Sequence, residues 1–370
     1  MITGIIREIK PEENRVAMTP AGVEMFCQKG HRVLVETGAG RGSGYEDRQY
    51  TEAGAEILSG PAEIFAAADM IMHVKEPQEQ ECALLRPGQI LFTYLHLAAD
   101  DGLTRALADS GAVCIAYETI QKTDGSLPLL TPMSEVAGRM AVQEAAKFLE
   151  MTKGGQGILL GGVTGVDPGN VLIIGGGVVG VNAAKMACGL GAKVTLLDTN
   201  LERLRYLADV MPQNCFLLMS NPATIRERVQ VADVVIGAVL LPGARAPRLV
   251  TREMLGTMKK GAVLVDVAID QGGCFETSRP TTHTDPVYVI DGVVHYCVTN
   301  MPGAVAKTST QALTNATLPY ALQIADKGWK MAMKENREIR LGANIINGKI
   351  TCRGAAEAFG LACTPIETIL

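Results

Sequence analysis

The sequence lacks any apolar run that approaches the roughly 20 residues of a membrane-spanning helix. The best candidate, VLIIGGGVVGV at 171–181, is short and rich in glycine. The only early apolar stretch is interrupted by Arg7, Glu8 and Lys10, so we expect no signal peptide. These absences predict a protein that does not enter the membrane.

The sequence also lacks a strong excess of charge of one sign and lacks paired cysteines. The formal net charge is -5 with mixed signs, which predicts neither a nucleic-acid partner nor an anionic membrane surface. The nine cysteines are scattered singly and none forms a CxxC pair, so we expect free thiols in a reducing cytoplasm. The histidines do not cluster at metal-ligand spacing, and no metal site is predicted.

What the sequence does contain is an alternation of strand-like and helix-like segments. A length of 370 residues indicates two domains rather than one core. Segments such as PAEIFAAADMIMHV and DGLTRALADSGAVCIAYE each predict a helix followed by a strand, which is typical of βαβ units and a largely parallel sheet. A long helix is predicted over 134–151, strands over 234–241, 262–269 and 293–300, and mostly helix after Gly303.

A dinucleotide-binding motif lies in the middle of the chain. Gly175, Gly177 and Gly180 spell G-x-G-x-x-G between the strand VLIIG and a helix, and the next strand ends in Asp198. The glycines allow a tight turn, a close approach of the backbone to a pyrophosphate and close packing of helix on strand. A carboxylate at 198 accepts from ribose hydroxyls and repels a 2′-phosphate, which favours NAD over NADP. FAD and a glycine-rich turn without a ligand are the alternatives.

Basic residues stand where predicted strands end. Residues 69–77 read DMIMHVKEP, an apolar run that stops at Lys75, and His96 ends the run LFTYLH. Arg15 lies in an early polar segment. Each of the three residues, taken alone, is compatible with an ordinary role: a solvated strand end, a structural histidine and a loop arginine.

Six segments of the chain together resemble a known family. GIIREIKPEENRVAMTP, MIMHVKEPQ, LFTYLHLAAD, TPMSEVAGRMAVQ, IIGGGVVG and VLVDVAIDQGG are similar to NAD-dependent alanine dehydrogenases, and several are shared with the soluble NAD-binding part of proton-translocating nicotinamide nucleotide transhydrogenase. The resemblance covers the whole chain. It implies an α/β fold of two Rossmann-like domains with parallel sheets, in which an NAD-binding domain (130–305) is inserted into a discontinuous substrate domain (1–129 and 306–370). It also implies a homohexamer.

The resemblance assigns roles to four residues. Arg15 and Lys75 would bind the substrate, because guanidinium grips a carboxylate bidentately and an ammonium polarises the adjacent oxo group. His96 would be the general acid and base, since imidazole transfers protons near neutral pH. Asp270 would handle water and the carbinolamine intermediate. Asp266, four residues earlier, is equally acidic, but the resemblance favours Asp270.

The resemblance also carries over a set of cofactor contacts. They comprise the glycine loop, the residues at the ribose and adenine, those after later strands and those flanking the nicotinamide: Ser134, Gly175, Gly177, Val178, Gly180, Asp198, Arg203, Ser220, Val239, Leu240, Val267, Ala268, Ile269, Asp270, Arg279, Val298, Thr299, Asn300 and Met301.

The function implied is reversible oxidative deamination of L-alanine to pyruvate and ammonium, with NAD as the hydride acceptor. One alternative is a soluble NAD(H)-binding subunit of a transhydrogenase. The other is a sensing module that binds NAD without turnover. The joint presence of Arg15, Lys75, His96 and Asp270 favours the dehydrogenase.

Overall fold

The computed structural model describes residues 1–239 and 246–370, which divide into two compact units. Unit 1 comprises Met1–Met133 and Gly303–Leu370, and unit 2 comprises Ser134–Pro302. The chain leaves unit 1 four residues later, and re-enters it three residues earlier, than the sequence analysis placed the domain boundaries. A continuous helix, Thr131–Phe148, crosses the first boundary, so no break in composition marks it. None of the helices in the described residues is long and apolar enough to cross a membrane.

The secondary structure follows the predicted alternation. The strands are β1 Ile2–Ile5, β2 Arg32–Glu36, β3 Glu56–Leu58, β4 Met70–Met72, β5 Ile90–Thr93, β6 Val113–Ala116, β7 Asn170–Ile174, β8 Lys193–Asp198, β9 Cys215–Met219, β10 Val234–Gly237, β11 Val263–Asp266, β12 Val287–Ile290, β13 Val293–Tyr296, β14 Ala343–Ile346 and β15 Lys349–Ile350. The α-helices are α1 Pro20–Gln28, α2 Asp47–Glu52, α3 Pro61–Ala67, α4 Glu79–Cys82, α5 Asp101–Asp109, α6 Thr131–Phe148, α7 Val178–Gly189, α8 Leu201–Val210, α9 Pro222–Val231, α10 Arg252–Leu255, α11 Ala306–Glu335, α12 Arg337–Leu341 and α13 Arg353–Phe359.

Unit 1 is built on an 8-stranded sheet in the order β15-β14-β6-β5-β4-β1-β2-β3. Strands β1 to β6 pair in parallel, and β4, β5 and β6 are buried along their whole length, as expected for strands covered on both faces. Antiparallel β14 pairs with β6, and β15 pairs with β14. The segment that follows unit 2 in the chain therefore completes the sheet of unit 1.

Unit 2 is built on a 7-stranded sheet in the order β12-β13-β11-β10-β7-β8-β9. All its neighbours pair in parallel except β12, which runs antiparallel to β13 at the edge. The predicted fold class, α/β with two Rossmann-like parallel sheets, is confirmed. The antiparallel edge strands were not predicted, and the hairpin β14–β15 lies in a segment expected to be helical.

Several boundaries differ from the predictions. The strands predicted over 262–269 and 293–300 are shorter, β11 ending at Asp266 and β13 at Tyr296. Helix α6 was predicted over 134–151 but begins at Thr131, because Pro132 is compatible with the first turn, and it ends at Phe148 before a sharp turn at 151–153. Strand β10 was predicted over 234–241 and ends at Gly237; positions 240 and 241 lie outside the described residues.

Candidate active site

The three basic residues predicted to act in unit 1 lie in segments that follow the carboxyl ends of adjacent strands. In the order β5-β4-β1, His96 follows β5, Lys75 follows β4, and Arg15 lies in the segment after β1. The strand order switches sides between β1 and β4, because β2 and β3 are added on one side of β1 and β4, β5 and β6 on the other. Ligands of open α/β sheets bind at such carboxyl ends.

The backbone of Lys75 is held from both sides. Its carbonyl accepts from His73 Nδ1 at 2.6 Å and from Thr93 Oγ1 at 2.8 Å. Its N–H lies 3.4 Å from both carboxylate oxygens of Glu8, and the preceding N–H, of Val74, donates to Glu8 at 2.6 Å. Lys75 itself is half-buried.

A buried cluster of charged groups underlies this loop. His73 is 1% exposed; its Nδ1 lies 3.2 Å from Glu8 and its Nε2 lies 3.3 Å from Glu81, an ion-pair contact that is off the line of a hydrogen bond. Burial alone would lower the pKa of His73, but the two carboxylates outweigh it and raise that pKa to about 9. Burial raises the pKa of Glu8 to about 7 in spite of the nearby imidazole. The facing carboxylates therefore favour the imidazolium form of His73.

Arg15 is a buried guanidinium already engaged by an acid. It is 3% exposed and donates to Glu13 through Nε at 2.7 Å and Nη2 at 2.5 Å. Burial opposes its charge, but the hydrogen bonds to Glu13 raise the pKa of Arg15 above its ordinary value. The Nη1 donor is directed at Met133 Sδ, 3.0 Å away, and a thioether is a weak acceptor that a carboxylate could replace.

His96 occupies an unusual backbone conformation. Its φ of 48° and ψ of 38° lie in the left-handed region, which few residues other than glycine adopt. The carboxylate of Glu118, after β6, holds the turn by accepting from His96 N at 2.6 Å and from Leu95 N at 3.2 Å. The imidazole is exposed and stacks on Tyr94, with ring centroids 5.8 Å apart and an interplanar angle of 8°.

The glycine loop of unit 2 has the sterics that the motif requires. Gly175 has φ 109°, and a Cβ there would meet Ala238 O at 2.6 Å. A Cβ at Gly180 would lie 1.8 Å from Gly175 O, so only glycine allows α7 to pack this close. A Cβ at Gly177 would meet nothing within 4 Å, which leaves open space beside the first turn of α7. Val178 begins α7 and is 38% exposed.

Asp198 closes this loop from the end of β8. Its carboxylate accepts from Gly176 N at 2.7 Å and from Asn200 N at 2.8 Å, and its carbonyl accepts from Ser220 N at 2.8 Å. Arg203 Nε donates to Gly176 O at 2.8 Å. The structure therefore brings the predicted ribose residues Asp198 and Arg203, and Ser220 beside them, to the glycine loop.

Helix α6 places Ser134 near the same loop. A Cβ at Gly138 would lie 2.3 Å from Val179 O, so α6 and the first turn of α7 are in very close contact. Ser134 is half-buried and precedes Gly138 by four residues, about one turn on the same helix face.

Asp266, the last residue of β11, and Asp270, four residues later, differ sharply. Asp266 is fully buried and accepts from Ser278 Oγ at 2.5 Å, Cys274 N at 2.9 Å and Ala268 N at 3.1 Å, and burial raises its pKa. Asp270 is exposed, on the short turn Ile269–Gln271. Asp266 is thus occupied in holding its own loop, whereas the carboxylate of Asp270 faces solvent.

The remaining predicted contacts lie at the same edge of the sheet with different exposures. Ala268, Ile269, Val298 and Met301 are buried, so backbone atoms dominate what they can offer to a ligand. Val239, Val267, Thr299 and Asn300 are half-buried. Arg279 is exposed and lies over the Tyr288 ring at 4.2 Å. Leu240 lies outside the described residues.

Sequence reasoning missed the acids that support the basic residues. Glu8, Glu13, Glu81 and Glu118 are each hydrogen-bonded to the backbone or side chain of a loop that carries a predicted site residue. The only sequence signal was that Glu8 and Glu118 stand just after predicted strands, which is also where solvated acids are common. Among the described residues, no group of His, Cys, Asp and Glu side chains is arranged to hold a metal ion.

The two family models that match the chain describe the two domains of one family. Residues 4–137 match the model described as the alanine dehydrogenase/PNT N-terminal domain, and residues 141–353 match the C-terminal domain of the same name. The chain belongs to the alanine dehydrogenase/PNT family. This confirms the family predicted from the six sequence segments.

Named members of the alanine dehydrogenase/PNT family match along their full length. A protein of Staphylococcus saprophyticus named alanine dehydrogenase is 57% identical over 371 residues, covering 100% of both chains. A solved L-alanine dehydrogenase superposes with a TM-score of 0.94 at 49% identity, covering 97% of this chain and 99% of that one. A solved transhydrogenase from Sinorhizobium meliloti superposes with a TM-score of 0.83 at 27% identity, covering 95% and 99%.

Proposed function

We propose that this protein catalyses the reversible oxidative deamination of L-alanine to pyruvate and ammonium, with NAD as the hydride acceptor. The observation that carries the proposal is the set of Arg15, Lys75 and His96 at the carboxyl ends of three neighbouring strands, in a family member whose other unit holds a dinucleotide loop. The identity to the alanine dehydrogenase of Staphylococcus saprophyticus supports the substrate.

The cofactor half of the proposal rests on unit 2. NAD, when bound, supplies the hydride acceptor at nicotinamide C4. The N–H groups at the start of α7 would receive the pyrophosphate in the open space at Gly177, because a helix N-terminus attracts an anion. The carboxylate of Asp198, fixed by Gly176 N and Asn200 N, would accept from the ribose hydroxyls and repel a 2′-phosphate. NAD is therefore preferred over NADP.

The substrate half of the proposal rests on unit 1. Arg15 grips the alanine carboxylate, with Nη1 exchanging Met133 Sδ for a stronger acceptor. Lys75 lies against the functional group at Cα and stabilises the negative charge that develops on the oxo oxygen when pyruvate reacts. Both groups act in a partly dehydrated setting, where charge interactions are stronger than in water.

The reaction then proceeds in two stages. The alanine ammonium gives up one proton to solvent, loss of hydride from Cα of the amine then leaves protonated iminopyruvate, and water adds to the imine carbon to give a carbinolamine. Cleavage of the C–N bond releases ammonia and leaves pyruvate. His96 takes the proton from the attacking water and returns one to the departing nitrogen, which a histidine does near neutral pH. Asp270 assists the water and ammonia steps.

The assembly and compartment are part of the proposal. The family resemblance implies a homohexamer, and the scattered free thiols fit a reducing cytoplasm. Sedimentation that gives the mass of a single 39.2 kDa chain would contradict the hexamer.

A steady-state assay over a panel of amino acids tests the function. We expect NADH formation that depends on L-alanine, weaker activity on the next larger 2-amino acid, and little activity with NADP. One methylene alters binding in such a pocket by about 1–3 kcal/mol, so some activity on the larger substrate is expected. Equal efficiency on glutamate or leucine would reject the substrate. Hydride exchange only in the presence of a membrane partner would support a transhydrogenase subunit, for which the 27% identical structure is the favouring observation.

A further inference from the structure

The loop that carries Lys75 is fixed through its backbone by three side chains from three strand ends. Glu8, after β1, accepts from Val74 N at 2.6 Å and lies 3.4 Å from Lys75 N. His73, after β4, and Thr93, the last residue of β5, both donate to the Lys75 carbonyl, at 2.6 and 2.8 Å. Because its N–H and its C=O are both held, the backbone of Lys75 is fixed, and the side chain extends from a fixed position.

The cluster that holds this loop consists of buried charged groups, although apolar groups would cost less free energy to bury. The side chains of Glu8 and His73 are each 2% exposed, and Glu81 closes the far side of the imidazole. Taking ions out of water costs several kcal/mol per ion, and well-packed apolar groups are often at least as stable. The charges are instead directed at the peptide groups on either side of Lys75.

The same acid also faces the other substrate cation. Glu8 interacts electrostatically with Glu13 and Arg15 as well as with His73. Glu13 in turn holds Arg15 through two hydrogen bonds. The positions of the Arg15 and Lys75 segments are thus set by neighbouring members of one buried cluster.

We propose that Glu8, His73 and Thr93 are positioning residues for Lys75, holding its backbone so that the ammonium meets the substrate oxygen in the reactive geometry. The inference rests on the proposed role of Lys75. A displacement of about 1 Å in a catalytic group can cost on the order of 100-fold in rate, so loss of one backbone hydrogen bond slows the chemical step without removing the ammonium.

A matched pair of substitutions isolates the hydrogen bond from His73. His73→Asn places an amide nitrogen on Cγ, where Nδ1 stands, and keeps the donor to the Lys75 carbonyl. His73→Gln places its amide nitrogen one bond farther, towards Glu81, and loses that donor. Both changes remove the imidazolium. We expect His73→Asn to keep kcat for pyruvate reduction within about threefold of wild type, and His73→Gln to lose on the order of tenfold or more.

Thr93 offers a second, neutral pair. Thr93→Ser keeps the hydroxyl that donates to the Lys75 carbonyl, and Thr93→Val keeps the branched shape and loses it. We expect kcat to fall about threefold in Thr93→Val and to stay near wild type in Thr93→Ser, because His73 still donates to the same carbonyl. This pair decides the proposal if the His73 variants do not fold.

The readouts separate positioning from general loss of structure. NADH affinity should be unchanged in all four variants, since unit 2 carries the predicted cofactor contacts. The deuterium isotope effect on kcat with 4-deuterated NADH should rise in His73→Gln as hydride transfer becomes slower. In a Lys75→Ala background His73→Gln should have no further effect on kcat, because the two residues act as one.

Equal kcat in each matched pair, or a His73→Gln effect that persists without Lys75, overturns the positioning role. Failure of the proposed function has a different signature, since wild type would then show no alanine-dependent turnover or Lys75→Ala would stay active.

Discussion

The two units differ in the chemical groups that lie at the ends of their strands. In unit 1 the groups at the strand ends are charged side chains, and carboxylates such as Glu8, Glu13 and Glu118 hold the loops that carry them. In unit 2 the central feature is bare backbone, with glycines that leave room for N–H groups and one carboxylate, Asp198, that fixes the loop.

The difference matches what each unit is proposed to bind. A 2-oxo acid is a small anion with few atoms, so recognition and charge stabilisation need strong point charges held in place. A dinucleotide is long, and many weaker backbone contacts along it suffice. We therefore expect substitutions in unit 1 to change the rate of chemistry and its pH dependence, and those in unit 2 to change cofactor affinity or folding.

Lys75→Ala should give the largest loss of kcat and the clearest difference between the two units. In the proposed mechanism the ammonium meets an oxygen whose charge grows in the transition state, so we expect kcat for pyruvate reduction to fall on the order of 100-fold or more. Folding and NADH binding should be retained, as followed by thermal unfolding and fluorescence titration. Lys75→Arg should rescue poorly, because a planar fork does not replace a compact ammonium. Turnover near wild type in the alanine variant would make Lys75 an ordinary strand-end lysine.

Gly180→Ala and Gly177→Ala should separate folding from binding within unit 2. The Cβ at position 180 would lie 1.8 Å from Gly175 O, so we expect a loss of roughly 1–3 kcal/mol of stability or more, as for other overpacked sites. The Cβ at 177 meets no protein atom within 4 Å, so the melting temperature should be unchanged while NADH binds about tenfold more weakly. Wild-type NADH affinity in Gly177→Ala would contradict the proposed position of the pyrophosphate in this space.

Glu118→Gln should impair unit 1 through the backbone of His96. The carboxylate holds two N–H groups of a turn in the left-handed region, and a neutral amide is a weaker acceptor. We expect kcat to fall on the order of tenfold with NADH affinity unchanged. Glu357→Gln, an exposed glutamate on α13, is the matched control and should behave as wild type. If Glu118→Gln keeps full activity, the turn does not depend on that charge.

The titration of His73 itself should have the smallest effect on activity, and it should be visible in stability against pH. His73 faces Glu8, Glu81 and Glu36, and Glu8 also faces Glu13, Arg15 and Tyr117. A pKa raised from 6.5 to about 9 means that the folded state binds more protons than the unfolded state between these pH values. The resulting stabilisation is complete below pH 6.5 and is lost as pH rises through 9.

Thermal unfolding from pH 6 to pH 10 measures this loss. Wild type should lose more stability over that window than His73→Asn, which has no imidazole to titrate. Parallel curves for the two proteins would show that His73 is not charged in the folded state.

Sequence reasoning predicted what depends on local pattern. The glycine loop, the strand that ends at Asp198 and the position of Lys75 at a strand end all follow from spacing and hydrophobicity, and the structure has them in those places. The family, and through it the fold class, followed from short segments that together resemble one family.

What could not be predicted depends on contacts distant in sequence. Glu8 holds the N–H of Val74, 66 residues away, and a contact to a backbone atom leaves no trace in residue spacing. The β14–β15 hairpin is different, because its turn Asn347-Gly348 is a strong hairpin signal that the helical pattern before it obscured. The choice between Asp266 and Asp270 rested on resemblance alone, and burial now shows that Asp266 is committed to its own loop.

Because unit 1 is formed from two separate stretches of chain, its two parts are synthesised at different times. The Arg15 segment is tied down by Val16 N donating to Thr310 Oγ1 at 3.0 Å, and β6 gains its outer neighbour only when β14 pairs with it. Both partners leave the ribosome after all of unit 2, whereas unit 2 is complete at Pro302. A chain that ends shortly after that residue would therefore contain all of unit 2, together with a unit 1 that still lacks an edge of its sheet.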